Sequence, residues 1–326
     1  MQPLVFEPIL KRIRWGGRRL GSVLGKPIGE QFDYAESWEI ADHGDDQSLV
    51  SMGDYRGWTL RQLVESKARK LFGAKRICKQ FPLLFKFLDA HDRLSLQVHP
   101  DDELAARYDP QENGKTEAWV ILAAEPGSRL YAGLKEGVGR IDLESALQAG
   151  TVEELLHSFT VTAGDCVFIP AGTVHAIGEG ILLAEIQQMS DITFRLFDWG
   201  RLGNDGKPRA LHIADGLAAT DFSRGPVSPV SPQPITKSDG HRLEELVRGE
   251  YFVIHRHTLQ DRATAPVLPD DRFHVLMVVE GEMTVHCAGE TTTLECGRTV
   301  LVPAECDGDV RFEARGGAVV IDSFLP

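Results

Sequence analysis

Cysteine is scarce and unpaired in this sequence: five among 326 residues, at positions 78, 166, 287, 296 and 306, with no Cys-x-x-Cys spacing. That excludes a disulfide-stapled scaffold and offers no thiolate zinc site, so these read as reduced, structural thiols. Long apolar runs are also missing. Stretches such as Val275 to Val279 and Ala318 to Ile321 fall far short of the roughly 20 residues a membrane-crossing helix needs. Positive charge is outnumbered, 35 Lys and Arg against 48 Asp and Glu, and the net charge of −13 argues against general affinity for nucleic acid or anionic lipid. An anionic ligand must find a local basic pocket. A signal peptide's charged-then-apolar order is reversed at the N-terminus, where Glu7 precedes the basic run Lys11 to Arg14; we therefore expect a cytoplasmic chain.

What is present is ordinary globular composition, 42% hydrophobic and 25% charged, at a length that predicts about two domains. The stretch from Ser223 to Ile235 is dense in proline and serine, which block both helix continuation and central-strand pairing. We expect a domain over residues 1–222, a linker over 223–240 and a smaller all-β domain over 241–326. In the first domain, short β-rich runs (Pro82 to Leu88, Leu94 to Val98, Ala118 to Leu122, Asp165 to Ile169, Ile181 to Gln187) alternate with turn residues. Two stretches with helical spacing, Thr59 to Phe72 and Ile141 to Phe159, are expected to cover it. In the second, Tyr251 to His257, Phe273 to Val279, Glu282 to Val285, Thr299 to Val302 and Ala318 to Ile321 read as strands.

Gly164-Asp-Cys-Val-Phe-Ile-Pro170 is answered by Gly297-Arg-Thr-Val-Leu-Val-Pro303 at the same Gly-to-Pro spacing, as two related barrels would give. In each, glycine turns the chain into a buried strand and proline ends it.

The chemistry concentrates in the first domain. Beyond Pro170, Gly172 and then His175 return an imidazole towards the barrel mouth. In Leu94 to Pro100, period-two alternation puts Ser95, Gln97 and His99 on one face, and in Lys115 to Trp119 it groups Lys115, Glu117 and Trp119. Two histidines, one carboxylate and one amide oxygen form a nitrogen and oxygen donor set that suits zinc and also manganese, cobalt or iron(II). His255 and His257 share a strand face, but no glutamate or later histidine completes a set, so they read as surface or packing residues; His274 and His286 read as isolated. Asp101-Asp102-Glu103 reads as a helix start, where carboxylates favour the N-terminal dipole.

The segments Pro82-Leu-Leu-Phe-Lys-Phe-Leu-Asp, Leu94-Ser-Leu-Gln-Val-His-Pro-Asp, Gly114-Lys-Thr-Glu-Ala-Trp and Pro170-Ala-Gly-Thr-Val-His resemble type I phosphomannose isomerases of the cupin superfamily. The likeness runs from Pro8-Ile-Leu-Lys and Ile13-Arg-Trp-Gly-Gly through Glu36-Ser-Trp-Glu-Ile to Phe194-Arg-Leu-Phe-Asp198, with Leu211-His212 just beyond, and covers nearly the whole first domain. It implies a mainly β chain of two cupin-like β-barrel (jelly-roll) domains, with a few helices added to the first, in a short bacterial form. It implies one zinc held by Gln97, His99, Glu117 and His175, an active-site arginine at Arg195, and a sugar phosphate pocket lined by Lys86, Ser95, Lys115 and Glu185. The implied activity is interconversion of mannose 6-phosphate and fructose 6-phosphate through an enediol(ate). The base stays open between Glu185, Lys115 and a hydroxide at the zinc. Lys115 also reads as a solvated strand-edge lysine, Arg195 as an ion-pair partner of Asp191 or Asp198, and Glu185 as a barrel-wall carboxylate. Two other readings are an iron-dependent cupin dioxygenase, against which the amide ligand and surrounding cations argue, and a non-catalytic sugar-binding cupin. The expected partner is a small sugar phosphate, with neither nucleic acid nor membrane.

Overall fold

The computed structural model describes residues 1–203 and 206–326. Two antiparallel sheets face each other in the N-terminal part. One has six strands in the order Cys166–Ile169, Glu117–Ala124, Ile181–Gln188, Leu83–Ala90, Tyr34–Ile40 and Ile9–Gly17; the other has five, Leu156–Thr160, Arg129–Leu134, His175–Ile177, Leu96–Val98 and Phe194–Phe197. Trp119, Ile121 and Leu183 of the first sheet pack with Leu130, Ala132 and Ile177 of the second. The arrangement is the mainly β jelly roll expected, with the sheets left open and not closed into a full barrel.

The six-stranded sheet is buried on both faces, so its central strands cannot show a clean polar alternation. Along Ile181–Gln188, Leu182, Ala184 and Ile186 join a core shared with Ile254, Val275, Met277 and Ile321 of the C-terminal part. Leu183 turns the other way, into the jelly roll, and period two carries Glu185 and Gln187 with it. Burial of charge here therefore has a direction: into the space between the sheets.

The C-terminal part is one nine-stranded sheet in the order Leu4–Val5, Thr299–Val302, His274–Cys287, Val310–Phe324, Val253–Leu259, His241–Arg248 and Gln233–Ser238, with two short strands added. It curls on itself, since Leu259, Leu276, Met283, Val302, Phe312 and Val320 form a single cluster. The extreme N-terminus contributes a strand here, Leu4 pairing with Leu301, and Gln233–Ser238 pairs with His241–Arg248. Cys166–Ile169 and Thr299–Val302 are both strands entered from a glycine at positive φ, Gly164 at 90° and Gly297 at 85°, which gives the sequence repeat a shared geometry.

The Thr59 to Phe72 expectation becomes the helix Leu60–Phe72, with Thr59 as N-cap in a capping box with Gln62. The Ile141 to Phe159 expectation is corrected. The helix is Arg140–Ala149, stopped by Gly150 at φ 74° and ψ 17°; a 3-10 turn, Val152–Leu155, and the strand Leu156–Thr160 follow. The left-handed conformation that glycine tolerates ends the helix although the leucine spacing continues. Phe273 to Val279 and Glu282 to Val285 are one strand, His274–Cys287, passing through Gly281 at φ 74°. No helix among the described residues is long and apolar enough to cross a membrane.

Candidate metal centre and active site

His99, Glu117 and His175 come from three different segments, and one ligand atom of each lies within 4.8 Å of the others. His175 Nε2 is 3.3 Å from Glu117 Oε1, and His99 Nε2 is 3.6 Å from Glu117 Oε2. All three side chains are buried. The backbone sets the imidazole tautomers: His99 Nδ1 lies 2.9 Å from the Ile192 carbonyl and His175 Nδ1 lies 2.8 Å from that of Thr173. A carbonyl only accepts, so each Nδ1 carries the proton and each Nε2 presents a lone pair to the centre. Burial holds the His175 pKa down to about 4 and that of His99 well below its usual value, so both rings are neutral near pH 7.

Two atoms argue for a cation here. Glu117 Oε1 and His175 Nε2 are buried with no hydrogen-bond partner, a costly state that a metal ion relieves. Gln97 stands directly across the ladder from His175, and also from Arg195 on its other side, so its amide shares the face of the ligands. The donors present fit a divalent metal with nitrogen and oxygen preference.

Charged groups ring this centre. Lys115 Nζ donates to Glu117 Oε2 and lies 3.0 Å from His99 Nε2; it is buried, which removes its reading as a solvated lysine. Lys86 and Glu185 are paired across adjacent strands, Nζ to Oε1 3.5 Å, and Lys86 also faces Glu36 at 3.6 Å and the Trp38 ring at 4.7 Å. Trp119 Nε1 donates to Glu185 at 3.0 Å while its ring meets His175 edge-on. Burial alone would raise the Glu185 carboxyl; Lys115 and Lys86 overcome it and hold its pKa below the usual value. For Glu117, burial prevails and pushes the carboxyl up against the pull of Lys115.

The sequence matches a phosphomannose isomerase type I catalytic-domain model over residues 4–124 and a mannose-6-phosphate isomerase cupin-domain model over 243–324. It is 36% identical over 329 residues to the mannose-6-phosphate isomerase ManA of Bacillus subtilis, covering 99% of both chains. The chain belongs to the type I phosphomannose isomerase family.

Among other family members, the mannose-6-phosphate isomerase of Streptococcus mutans is 32% identical over 323 residues, covering 96% of this chain and 98% of its own. The crystal structure of the mannose 6-phosphate isomerase from Bacillus subtilis superposes with a TM-score of 0.90 at 30% identity, covering 99% of each chain.

Within this family fold, Arg195 lies on the strand Phe194–Phe197 beside Gln97. Its Nη1 donates to the Ala210 carbonyl at 2.9 Å, while its Nε is buried without a partner. Asp198 is taken by other groups, Arg201 at 2.8 Å and Arg209 at 2.5 Å, so the alternative of an Arg195–Asp198 ion pair does not hold. Ser95 is buried just ahead of the strand Leu96–Val98.

Sequence reasoning did not single out Glu36, Trp38, Arg201 or Arg209. Glu36 and Trp38 carried a readable signal, since alternation in Tyr34–Ile40 puts both on one face. Arg201 and Arg209 sit in a loop, where no periodicity marks them.

In the C-terminal half the reading of His274 is corrected, while His255 and His257 take the packing alternative, against Phe324 and Phe312. His274 is not isolated: its Nδ1 is 2.9 Å from Asp322 and its Nε2 3.3 Å from Asp270. His255 and His257 are buried, with His257 Nδ1 3.0 Å from His241 and Nε2 3.8 Å from Asp322. The partner that sequence could not supply, Asp322, arrives from a strand more than sixty positions downstream of both. Even so, the three-residue metal cluster at His99 has no counterpart here among the described residues.

Proposed function

We propose that this chain interconverts mannose 6-phosphate and fructose 6-phosphate through an enediol(ate), in a site that holds one zinc through Gln97, His99, Glu117 and His175. The observation that carries this reading is the buried triad His99, Glu117 and His175 with two unpartnered ligand atoms, ringed by Lys115, Lys86 and Glu185. Bound zinc supplies Lewis-acid polarisation of the sugar carbonyl and stabilises the oxyanion that develops there. Manganese, cobalt or iron(II) would satisfy the same donors.

The remaining work falls to the chain. In the forward direction the C2 proton of the open-chain aldose leaves, C1 receives a proton, and the hydroxyl proton passes from O2 to O1. Glu185, held ionised by two ammonium groups, is suited to accept the carbon-bound proton, and Lys115 is suited to relay protons between the oxygens. Arg195 offers a planar fork to an enediolate or phosphate oxygen, and its unpartnered Nε leaves that capacity unspent. Lys86 and Ser95 belong to the wall that receives the sugar phosphate. We assign these roles to the domain expected over residues 1–222, and no metal to the domain expected over 241–326, whose sheet also takes in the strand Gln233–Ser238 from the expected 223–240 linker and the strand Leu4–Val5 from the N-terminus.

The test is a coupled assay of fructose 6-phosphate formation from mannose 6-phosphate, run on protein of known metal content. Turnover that rises with metal up to about one ion per chain supports the proposal; turnover in full after stripping by chelator contradicts it.

A further inference from the structure

Asp102 begins the helix Asp102–Tyr108 and ligates nothing, yet its carboxylate ties three parts of the molecule together. Oδ1 accepts from the backbone N–H of Gly114 at 2.7 Å and from Gln188 Nε2 at 2.9 Å. Gln188 Oε1 in turn accepts from the N–H of Thr116, also at 2.9 Å. The two backbone donors thus flank Lys115. On the other side, Oδ2 accepts from the Tyr251 hydroxyl at 2.8 Å, and Tyr251 belongs to the C-terminal half. The seat is close-fitting as well: a Cβ added at Gly114 would come within 2.6 Å of Asp101 and Asp102 backbone atoms, so only glycine lets this segment lie against the helix start.

We propose that Asp102 is a positioning residue for the isomerase reaction, fixing the Gly114–Thr116 backbone so that the Lys115 ammonium meets the reacting oxygens, and that Tyr251 carries this support from the second domain. The proposal rests on the isomerase reading above. Lys115 precedes the strand Glu117–Ala124, whose ladder holds Glu117 between Ile169 and Gln187. Loosening Asp102 therefore displaces Lys115 while the metal ligand stays in register. Displacement of a group that acts in the transition state lowers kcat more than it changes KM.

The experiment compares Asp102→Ala, Asp102→Asn and Tyr251→Phe in the zinc-loaded full chain, with Asp102→Ala repeated in a Lys115→Met background. We expect Asp102→Ala to lower kcat by about tenfold or more with KM and zinc content nearly unchanged. Asparagine keeps an acceptor oxygen for Gly114 and Gln188 and should restore most of the rate. In the Lys115→Met background the second substitution should cost little more, because both changes remove the same action. A full independent penalty there, loss of zinc from Asp102→Ala, or failure of asparagine to restore the rate would overturn the proposal. Should Asp102→Ala not fold, Tyr251→Phe decides: a several-fold fall in kcat at constant KM supports the link, and wild-type kinetics refute it. Amide hydrogen exchange across residues 113–117 separates the two levels. Faster exchange in Asp102→Ala supports the tether and unchanged exchange overturns it, whichever sugar is turned over, whereas wild-type protein inactive on mannose 6-phosphate would sink only the isomerase reading.

Discussion

Glu117 and His274 occupy the same place in the two halves of the chain: each stands across the ladder from the last residue of a Gly-x5-Pro strand, Glu117 from Ile169 and His274 from Val302. One position thus holds a carboxylate offered to a cation and, in the repeat, an imidazole enclosed by carboxylates. By the same offset the place of His175 falls on Gly308. The second half keeps the strand frame and has a different polar interior.

That interior predicts a pH effect on stability. Burial disfavours a charged His274, but Asp322 and Asp270 overcome it and raise its pKa to about 9, from 6.5. A group raised on folding contributes its full stabilisation below the unfolded pKa and loses it as pH rises through the folded one. Wild-type protein should therefore lose about 2–3 kcal/mol of unfolding free energy between pH 6.5 and 9.5 that His274→Gln does not lose. Urea denaturation of both proteins across that range is the check; parallel curves would remove the charged imidazole from the account.

The phosphate prediction follows from charge. At a net charge of −13 a dianionic substrate is repelled at long range, so it must be captured by local cations; Arg195 stands across the ladder from Gln97, and Arg201 and Arg209 pair with the carboxylate of Asp198 three positions along. Free mannose should show a kcat/KM lower than that of mannose 6-phosphate by about a thousandfold or more. Comparable values would make a free-sugar isomerase the better reading.

Arg195→Ala should keep fold and metal, because the side chain holds neither a metal ligand nor Asp198. If the guanidinium acts in the transition state, kcat falls by about a hundredfold with little change in KM; a phosphate anchor would instead show a large rise in KM. We expect the first pattern. Near-normal values of both would leave Arg195 without a role in turnover.

Replacing His255 and His257 together should leave metal content unchanged, since these rings answer to Asp322, Glu245 and His241. Elemental analysis of the double variant tests this directly; loss of the ion would place the metal in the wrong half.

How much of this was legible in the sequence depends on where each signal lives. Period-two alternation found Gln97 with His99 and Lys115 with Glu117, because strand geometry writes faces into spacing. The turn through Pro170 and Gly172 found His175 for a similar local reason. Asp322 beside His274, or Tyr251 on Asp102, could not be read that way: each joins residues 48 and 149 positions apart, and only the folded ladder and domain contact bring them together. The leucine pattern beyond Gly150 misled for the opposite reason, since a single left-handed residue outweighs helical periodicity.

The most direct test of the central claim is the metal content of His175→Ala, measured by elemental analysis alongside mannose 6-phosphate turnover of the same preparation. The account predicts that a chain carrying about one zinc in the wild type carries almost none in the variant, and that turnover disappears with it. Stoichiometric zinc retained in the folded variant would contradict it.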